Sequence, residues 1–275
     1  MNVSEMCEVF EISRSGFYAW EKRPPSLQDV EDKTILLPAI RRAFNGSRQT
    51  YGCVRIEDVL RDMGRASSVR RIRRLMRQDN LHSKHVRRFR CTTKRGPDTS
   101  EIPDLVQRDF NASAPNRVWV GDITEFQSEM GLLYSAFILD LYSRYIVGWS
   151  LAVNKTAKLV ITAFVRAVEN RNPPQGFIFH SDHGSQYGSD IFQSILRLNG
   201  GRSSMGSVGD CFDNAVSESF VHTLKTECLN HEHLISIDYT ERLLFEFIDV
   251  FYNRKRKHSS IGYLSPYEYE LLNQV

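Results

Sequence analysis

Three acidic residues that lie far apart along the chain occupy positions where predicted elements could bring them together. Asp122 lies in a predicted strand, Asp182 directly follows another strand, and Glu218 lies on a predicted helix. Carboxylate oxygens are the ligands that Mg2+ prefers, and two such ions can support in-line phosphoryl transfer. Acidic side chains brought together would repel one another unless cations lay between them. The three residues therefore predict a metal site, although carboxylates on a helix are more often solvated.

The helix that carries Glu218 has two different faces. At about 100° per residue, Asn214, Glu218 and Lys225 share one face. The opposite face is apolar and would anchor the helix to a sheet; it consists of Val216, Phe220 and Leu224. A lysine two turns from the carboxylate can reach a phosphate of bound DNA. We therefore predict that Asn214 and Lys225 contact DNA.

Basic residues are concentrated in the first half of the chain. Residues 41–95 contain 17 Lys and Arg against 4 Asp and Glu, whereas the whole chain has a net charge of only +3. Such a block indicates a polyanionic partner, and arginine is suited to phosphates and base edges. The alternative is a solvated basic face.

A helix–turn–helix is predicted inside this basic block. Helices are expected over Cys53–Met63 and Val69–Arg77, with Gly64 ending the first helix and Ser67 or Ser68 capping the second. In the second helix Val69, Ile72 and Met76 share the packing face. The opposite face carries arginines that fit a DNA groove, and the basic strip continues beyond the helix; the predicted DNA-binding residues are Arg70, Arg73, Arg74, Arg77, Arg87 and Arg88. A helix that contacts only phosphate, or nothing, is the alternative.

The remaining elements predict an α/β core behind an all-α region. A helix is expected over about residues 27–44, and the second half of the chain reads as three strands, helix, strand, helix, strand and two helices. The strands are predicted at Arg117–Phe126, Leu132–Asp140, Arg144–Leu151, Gly176–Ser181 and Arg202–Met205, and the helices at about 156–170, 189–198, 213–227 and 240–253. This order gives a mixed sheet.

Composition excludes several classes of protein. The 275 residues are 41% hydrophobic and 25% charged, which is typical of a globular chain. No apolar run approaches the length of a membrane span, and no secretory signal is visible. Five scattered cysteines without a CxxC motif argue against a disulfide framework or a structural zinc site. An intracellular, cytoplasmic location is expected.

Several motifs in fixed order resemble one known family. They include Trp119–Thr124, His180–Tyr187, Asp213–Ser219, Leu224–Glu227 and Phe251–Pro266, together with the upstream Tyr51-Gly52. This series resembles the DDE transposases of bacterial insertion sequences, in particular the group encoded by the second reading frame, whose catalytic core is similar to retroviral integrase. The resemblance covers about residues 3–270.

The resemblance implies a fold, a site and a reaction. The catalytic core would be ribonuclease-H-like, with Asp122, Asp182 and Glu218 as the metal-binding catalytic residues. Mg2+, with Mn2+ as a substitute, would support cleavage at the 3′ end of the element and strand transfer into target DNA. The implied domains are an N-terminal helical segment over residues 1–44, a helix–turn–helix over 45–100, and the catalytic core with a helical tail over 111–275.

The resemblance also implies partners: double-stranded DNA at the element ends and at the target, an upstream-frame protein or fusion partner, and further copies of the chain on DNA. Two other functions share these features. A structure-specific nuclease would use the same core, but the arginine-rich helix favours binding at defined ends. A DNA-binding regulator derived from a transposase would not need Asp122, Asp182 and Glu218.

Overall fold

The computed structural model describes residues 2–84, 102–206 and 215–273 and divides the chain into two compact units, Met1–Ser83 and Lys84–Val275. Arg87, Arg88 and Asn214, which the sequence predicts to contact DNA, lie outside the described residues. In the described part, no helix is long and apolar enough to cross a membrane.

The first unit is entirely helical. Its helices are α1 (Val3–Val9), α2 (Arg14–Glu21), α3 (Leu27–Glu31), α4 (Leu37–Gly46), α5 (Cys53–Asp62) and α6 (Val69–Gln78), with a π-helical segment, Asp32–Leu36, joining α3 to α4. Local capping explains several of the starts, because side-chain oxygens of Asn2, Ser13 and Ser26 each accept a backbone hydrogen bond from the first helical turn.

The predicted helix–turn–helix is formed by α5 and α6. Gly64 ends α5 in the left-handed conformation, with φ +69°, and Ser68 caps α6 by accepting a hydrogen bond from Arg71 N. The two helices share a small apolar core with α4; its fully or almost fully buried members are Ile40, Phe44, Ile56, Leu60, Ile72 and Leu75. This core orients α6 and leaves its arginine face exposed.

The second unit is built on a five-stranded mixed sheet. The strands are β1 (Val118–Ser128), β2 (Gly131–Asp140), β3 (Ile146–Ala152), β4 (Ile178–Ser181) and β5 (Arg202–Met205). Their order is β3-β2-β1-β4-β5; the pairs β1–β2 and β2–β3 are antiparallel, whereas β1–β4 and β4–β5 are parallel. The predicted mixed α/β fold is confirmed.

Successive side chains of β2 point to opposite faces of the sheet. Ala136 and Ile138 belong to the core that includes helix α7 (Ala157–Arg171) and helix α8 (Asp190–Leu198), in which Phe164, Phe179 and Phe192 pack together. Phe137, between them, contacts Phe220 of helix α9 (Ala215–Glu227), with 4.6 Å between ring centroids. The sheet is thus covered by helices on both faces.

The C-terminal segment packs against β3, the edge strand of the sheet. Helix α10 (Ile237–Phe245) continues as a π-helical segment, Glu246–Tyr252. The Asn253 side chain then pairs with β3 as a backbone strand would, because Ile146 N donates to Oδ1 at 2.9 Å and Nδ2 donates to Ile146 O at 3.0 Å. Helix α11 (Pro266–Leu272), which the sequence did not predict, follows.

Candidate active site and DNA-binding surface

Strand pairing brings Asp122 and Asp182 to adjacent positions. In the parallel pair β1–β4, Gly121 lies opposite Ser181, and each aspartate is the next residue on its own chain. Gly121 is required here by close packing, because a Cβ at this position would lie 2.5 Å from Phe179 Cζ. Two predicted site residues, 60 positions apart in the sequence, are therefore neighbours in the fold.

The loop after β4 is held by its own hydrogen bonds. Gly184 N donates to Asp182 Oδ1 at 3.0 Å, and His183 Nε2 donates to Gly206 O. His180 is buried and shares a hydrogen bond of 2.9 Å with Ser204 Oγ of β5. The two histidines therefore support the loop and its neighbouring strand.

Helix α9 carries Glu218 and Lys225 on one face. Phe220 and Leu224 are buried on the predicted packing face, and Val216 is half-buried. Glu218 is exposed in the first turn, whereas Lys225 is half-buried in the last turn. The charge of Lys225 interacts with Asp122 and Glu125 of β1. The helix thus places one carboxylate and one ammonium group on the side of the first aspartate.

The pKa of Asp122 reflects the charged groups around it. Burial raises its pKa to about 7, and the negative charges of Asp182 and Glu218 add to the rise. A hydrogen bond from Ile123 N at 2.7 Å and the positive charge of Lys155 act in the opposite direction. Burial also raises the pKa of Glu218 and lowers that of Lys225. Asp122 therefore lies in the field of both other acidic residues.

The donor set fits hard divalent ions in its chemistry. Asp122 and Asp182 present adjacent like-charged carboxylates, and a cation between such groups would relieve the repulsion that raises the pKa of Asp122. Glu218 acts on Asp122 only through its charge in this structure. Among the residues described here, no three histidine, cysteine or carboxylate side chains are close enough to hold one ion together.

The arginine face of α6 is exposed. Arg70, Arg73, Arg74 and Arg77 line one hollow with Gln78, while Ile72 and Met76 are buried and Val69 is half-buried on the other face, as the helical spacing predicts. Phosphate-binding helices present cations in this way. The surface is defined here as the α6 arginine face.

One member of this face has an internal partner. Arg74 forms an ion pair with Asp32, which is 2% exposed, and the intervening Arg71 donates to Asp32 Oδ1 at 2.6 Å and to Glu31 Oε2 at 2.7 Å. Both arginines therefore hold α6 against the segment that joins α3 to α4. Arg70, Arg73 and Arg77 make no ion pair with any described residue.

Sequence reasoning missed a buried ion pair behind the site. Arg256 lies in the basic tail over residues 254–258, yet it is only 5% exposed. Its guanidinium donates to both carboxylate oxygens of Glu227 on α9, at 2.7 and 2.9 Å. Both residues belong to motifs of the family resemblance, but no local pattern in the sequence pairs residues 29 positions apart.

Comparison with known families agrees with this geometry. Residues 112–211 match a family model described as integrase core domain, residues 199–266 match a second model with the same description, and residues 31–89 match an HTH-like domain. A simian T-cell lymphotropic virus intasome, solved by cryo-electron microscopy in complex with the PP2A regulatory subunit B56 gamma, shares the fold. Its chain is 16% identical, with a TM-score of 0.51, over 85% of this chain and 74% of that one.

The ribonuclease-H-like sheet and the integrase core matches define a DDE-type polynucleotidyl transferase. Transposase InsF for insertion sequence IS3A, from Escherichia coli K12, is 37% identical over 99% of this chain and 95% of its own length. An uncharacterized 31 kDa protein of insertion element IS600, from Shigella sonnei, is 38% identical over 95% of this chain and 96% of its own length. The chain belongs to the IS3 family of insertion-sequence transposases.

Proposed function

We propose that this transposase cleaves DNA at the 3′ ends of its insertion sequence and joins those ends to target DNA in a reaction that depends on divalent metal. Asp122, Asp182 and Glu218 are the proposed metal-binding catalytic residues, and Mg2+, or Mn2+ in its place, is the proposed cofactor. The observation that supports this assignment most strongly is the adjacency of Asp122 and Asp182 on β1 and β4, with the charge of Glu218 acting on Asp122.

The two steps use the same bond chemistry. In cleavage, the oxygen of water forms a bond to phosphorus and the 3′ oxygen leaves, so that a 3′-hydroxyl and a 5′-phosphate are produced. In strand transfer, that 3′-hydroxyl forms a bond to a target phosphorus while a target 3′ oxygen leaves. Bound divalent ions would stabilise the negative charge that develops on the phosphoryl oxygens.

The chain's own groups would bind and orient the DNA. Lys225 and Lys155 are the cations whose charges reach Asp122, so they lie where a scissile phosphate would have to approach. The α6 arginine face is the proposed site for duplex DNA at the element ends, with Arg87, Arg88 and Asn214 as further proposed contacts. The proposal also includes assembly of several copies on DNA, an upstream-frame partner, and action in the cytoplasm, where the element's DNA lies.

The test uses duplex oligonucleotides that copy the DNA flanking the reading frame. The protein should release a 3′-hydroxyl end and join it to a second duplex in Mg2+ or Mn2+, and a chelator should stop both steps. Glu218→Gln should abolish both steps and leave duplex binding intact, because it removes a charged ligand from the catalytic side of the molecule.

Glu169→Gln is the matched control, because Glu169 is an exposed carboxylate near the end of α7, and it should retain full activity. Full activity in Glu218→Gln would falsify the catalytic assignment. Cleavage without joining would instead indicate a nuclease on this fold.

A further inference from the structure

Tyr187 belongs to the loop after β4 that also carries Asp182, and its side chain is buried. It is 2% exposed, and its ring lies 5.5 Å from the ring of Phe192 and 5.9 Å from that of Phe179. Its backbone is also fixed, since Tyr187 N donates to Gly184 O at 3.0 Å and Tyr187 O accepts from Gln193 Nε2 at 2.8 Å. The ring therefore has little freedom to move.

Two glycines allow this ring to approach both aspartates. A Cβ added to Gly121, the residue before Asp122, would lie 3.3 Å from Tyr187 Cε1. A Cβ added to Gly184 would lie 3.6 Å from Tyr187 Cδ2 and 2.9 Å from Asp182 Oδ1. The tyrosine ring thus lies close to the backbone of β1 and of the loop that follows β4.

The hydroxyl at the end of this ring has an unusual environment. It is fully buried, and no hydrogen-bond partner for it exists among the described residues. Burial raises the pKa of Tyr187 well above its ordinary value, and the charges of Asp122 and Asp182 act in the same direction. The group is therefore a protonated donor near two carboxylates, and an unsatisfied buried donor carries a free-energy cost.

We propose that Tyr187 is a positioning residue of the metal site, whose hydroxyl donates a hydrogen bond to a carboxylate of the Asp122–Asp182 pair when that pair holds a divalent ion. This inference rests on the proposed function. Carboxylates that ligate metals are themselves held by hydrogen bonds from a second layer of residues, and these fix the direction of the ligand oxygens. Tyr187 supplies a rigid donor of this kind where the end of β4 lies beside β1.

A purely structural role for Tyr187 makes a different prediction. If the ring only fills the core between Phe179 and Phe192, removal of the hydroxyl alone should leave ion binding unchanged. Tyr187→Phe separates the two roles, because phenylalanine retains the ring and its packing and loses only the donor.

The experiment measures ion binding and stability in the full-length chain without DNA. Titration calorimetry with Mn2+ should show a dissociation constant about 10–100-fold higher for Tyr187→Phe than for the unmodified protein. In a chelator, the melting temperature of Tyr187→Phe should be equal or higher, because the lost hydroxyl has no hydrogen-bond partner among the residues that the structure describes. Tyr145→Phe, in the turn between β2 and β3, is the matched hydroxyl deletion and should change neither quantity.

Two results would overturn the inference. One is a Mn2+ dissociation constant within twofold of the unmodified protein; the other is a lower melting temperature in chelator, which would mean that the hydroxyl already has a partner without metal. Asp122→Asn distinguishes this failure from that of the proposed function. If Asp122→Asn loses Mn2+ binding and Tyr187→Phe does not, only the role of Tyr187 is wrong; if Asp122→Asn binds Mn2+ normally, the proposed metal site itself is wrong.

Discussion

Asp122 shows how a single residue can lower the stability of the fold and still serve the proposed metal site. An aspartate that is half-buried beside Asp182 loses part of its hydration and gains a like-charged neighbour, so its charged form is disfavoured. The hydrogen bond from Ile123 N and the charge of Lys155 recover only part of this cost, because the pKa still rises to about 7. Functional sites commonly contain such residues.

This cost should appear as a pH-dependent loss of stability in the metal-free protein. The unfolded chain has an aspartate pKa of about 3.9, so between about pH 4 and 7 the folded state binds more protons than the unfolded state. Stability therefore falls as pH rises through that range. Asp122→Asn removes the charge. The free energy of unfolding of this variant should therefore exceed that of the unmodified protein by an amount that grows with pH, at most ~1.4 kcal/mol per pH unit. The growth should be smaller than this limit because solvent screens a half-buried group.

Urea unfolding in chelator at several pH values between 4 and 8 would measure this difference. It should grow up to about pH 7 and then stay constant. Asp190→Asn, an exposed carboxylate at the start of α8, is the control and should show no such trend. A difference between Asp122→Asn and the unmodified protein that is independent of pH would contradict the explanation.

At the scale of elements, helix α9 is held by two different kinds of contact, one along its apolar face and one at its last residue. Its apolar face packs on the sheet through Phe220, which contacts Phe137 and Tyr252. Its last residue, Glu227, is joined to Arg256 by two hydrogen bonds in a fully buried pair. The direction in which α9 presents Glu218 and Lys225 therefore depends on a tail that lies about 30 residues further along the chain.

Breaking this pair should be strongly destabilising. Glu227→Gln removes the carboxylate that pairs with the buried Arg256 guanidinium, and losing one partner of a buried pair costs about 3–5 kcal/mol. Chemical denaturation of the unmodified protein and the variant would measure the loss. Glu241→Gln on the exposed face of α10 is the control and should change stability by less than about 0.5 kcal/mol. A similarly small change in Glu227→Gln would show that α9 does not depend on the tail.

The elements also show what could be predicted from the sequence. The strands were predictable because β-branched and aromatic residues run through them, and α6 was predictable because apolar residues and arginines alternate with helical spacing. Helix α11 was missed although its start has a local signal, a capping box of Ser265 and Glu268 around Pro266. What the sequence could not show is its tertiary anchoring, in which Glu270 accepts hydrogen bonds from Ser143 and from Arg171, both over 90 positions away. Asn253 at the edge of β3 was missed for the same reason.

The site was predictable to a similar extent. Asp122 and Asp182 could be proposed together because Asp122 lies in a predicted strand and Asp182 directly follows another. In the structure, parallel pairing of these strands makes the two residues neighbours. The sequence could not predict the buried hydroxyl of Tyr187 or the internal partner of Arg74. A sequence pattern does not show which polar groups are buried or which charges are already paired.

At the scale of the whole molecule, charge is divided unevenly along the chain. Residues 1–110 carry 22 basic against 15 acidic residues, whereas the rest of the chain carries 14 against 18. The part of the chain with the proposed catalytic residues is thus net negative and would not attract DNA by its overall charge. Long-range attraction to the duplex is therefore expected to come from the basic first half, above all from the α6 arginine face.

This division predicts a steep dependence of DNA binding on salt that can be assigned to particular residues. Each phosphate contact that is lost lowers the slope of log affinity against log salt by about 0.9. The triple variant Arg70→Ala, Arg73→Ala, Arg77→Ala should therefore lower the slope by up to about 3, without loss of stability, because these arginines form no ion pair with described residues. Arg74 is left out because it also pairs with Asp32.

Fluorescence anisotropy with an end-mimicking duplex and with an unrelated duplex, each at four salt concentrations, measures the slopes. The control removes three exposed arginines of the second unit, Arg197, Arg202 and Arg242, which changes the net charge equally and should leave the slope nearly intact. Equal losses on both duplexes would mean that the α6 arginines contact phosphates, whereas a larger loss on the end sequence would mean that they also read bases. If the two triple variants have the same slope, binding follows net charge alone, and the α6 arginine face is a solvated basic surface rather than the place where this transposase holds its DNA.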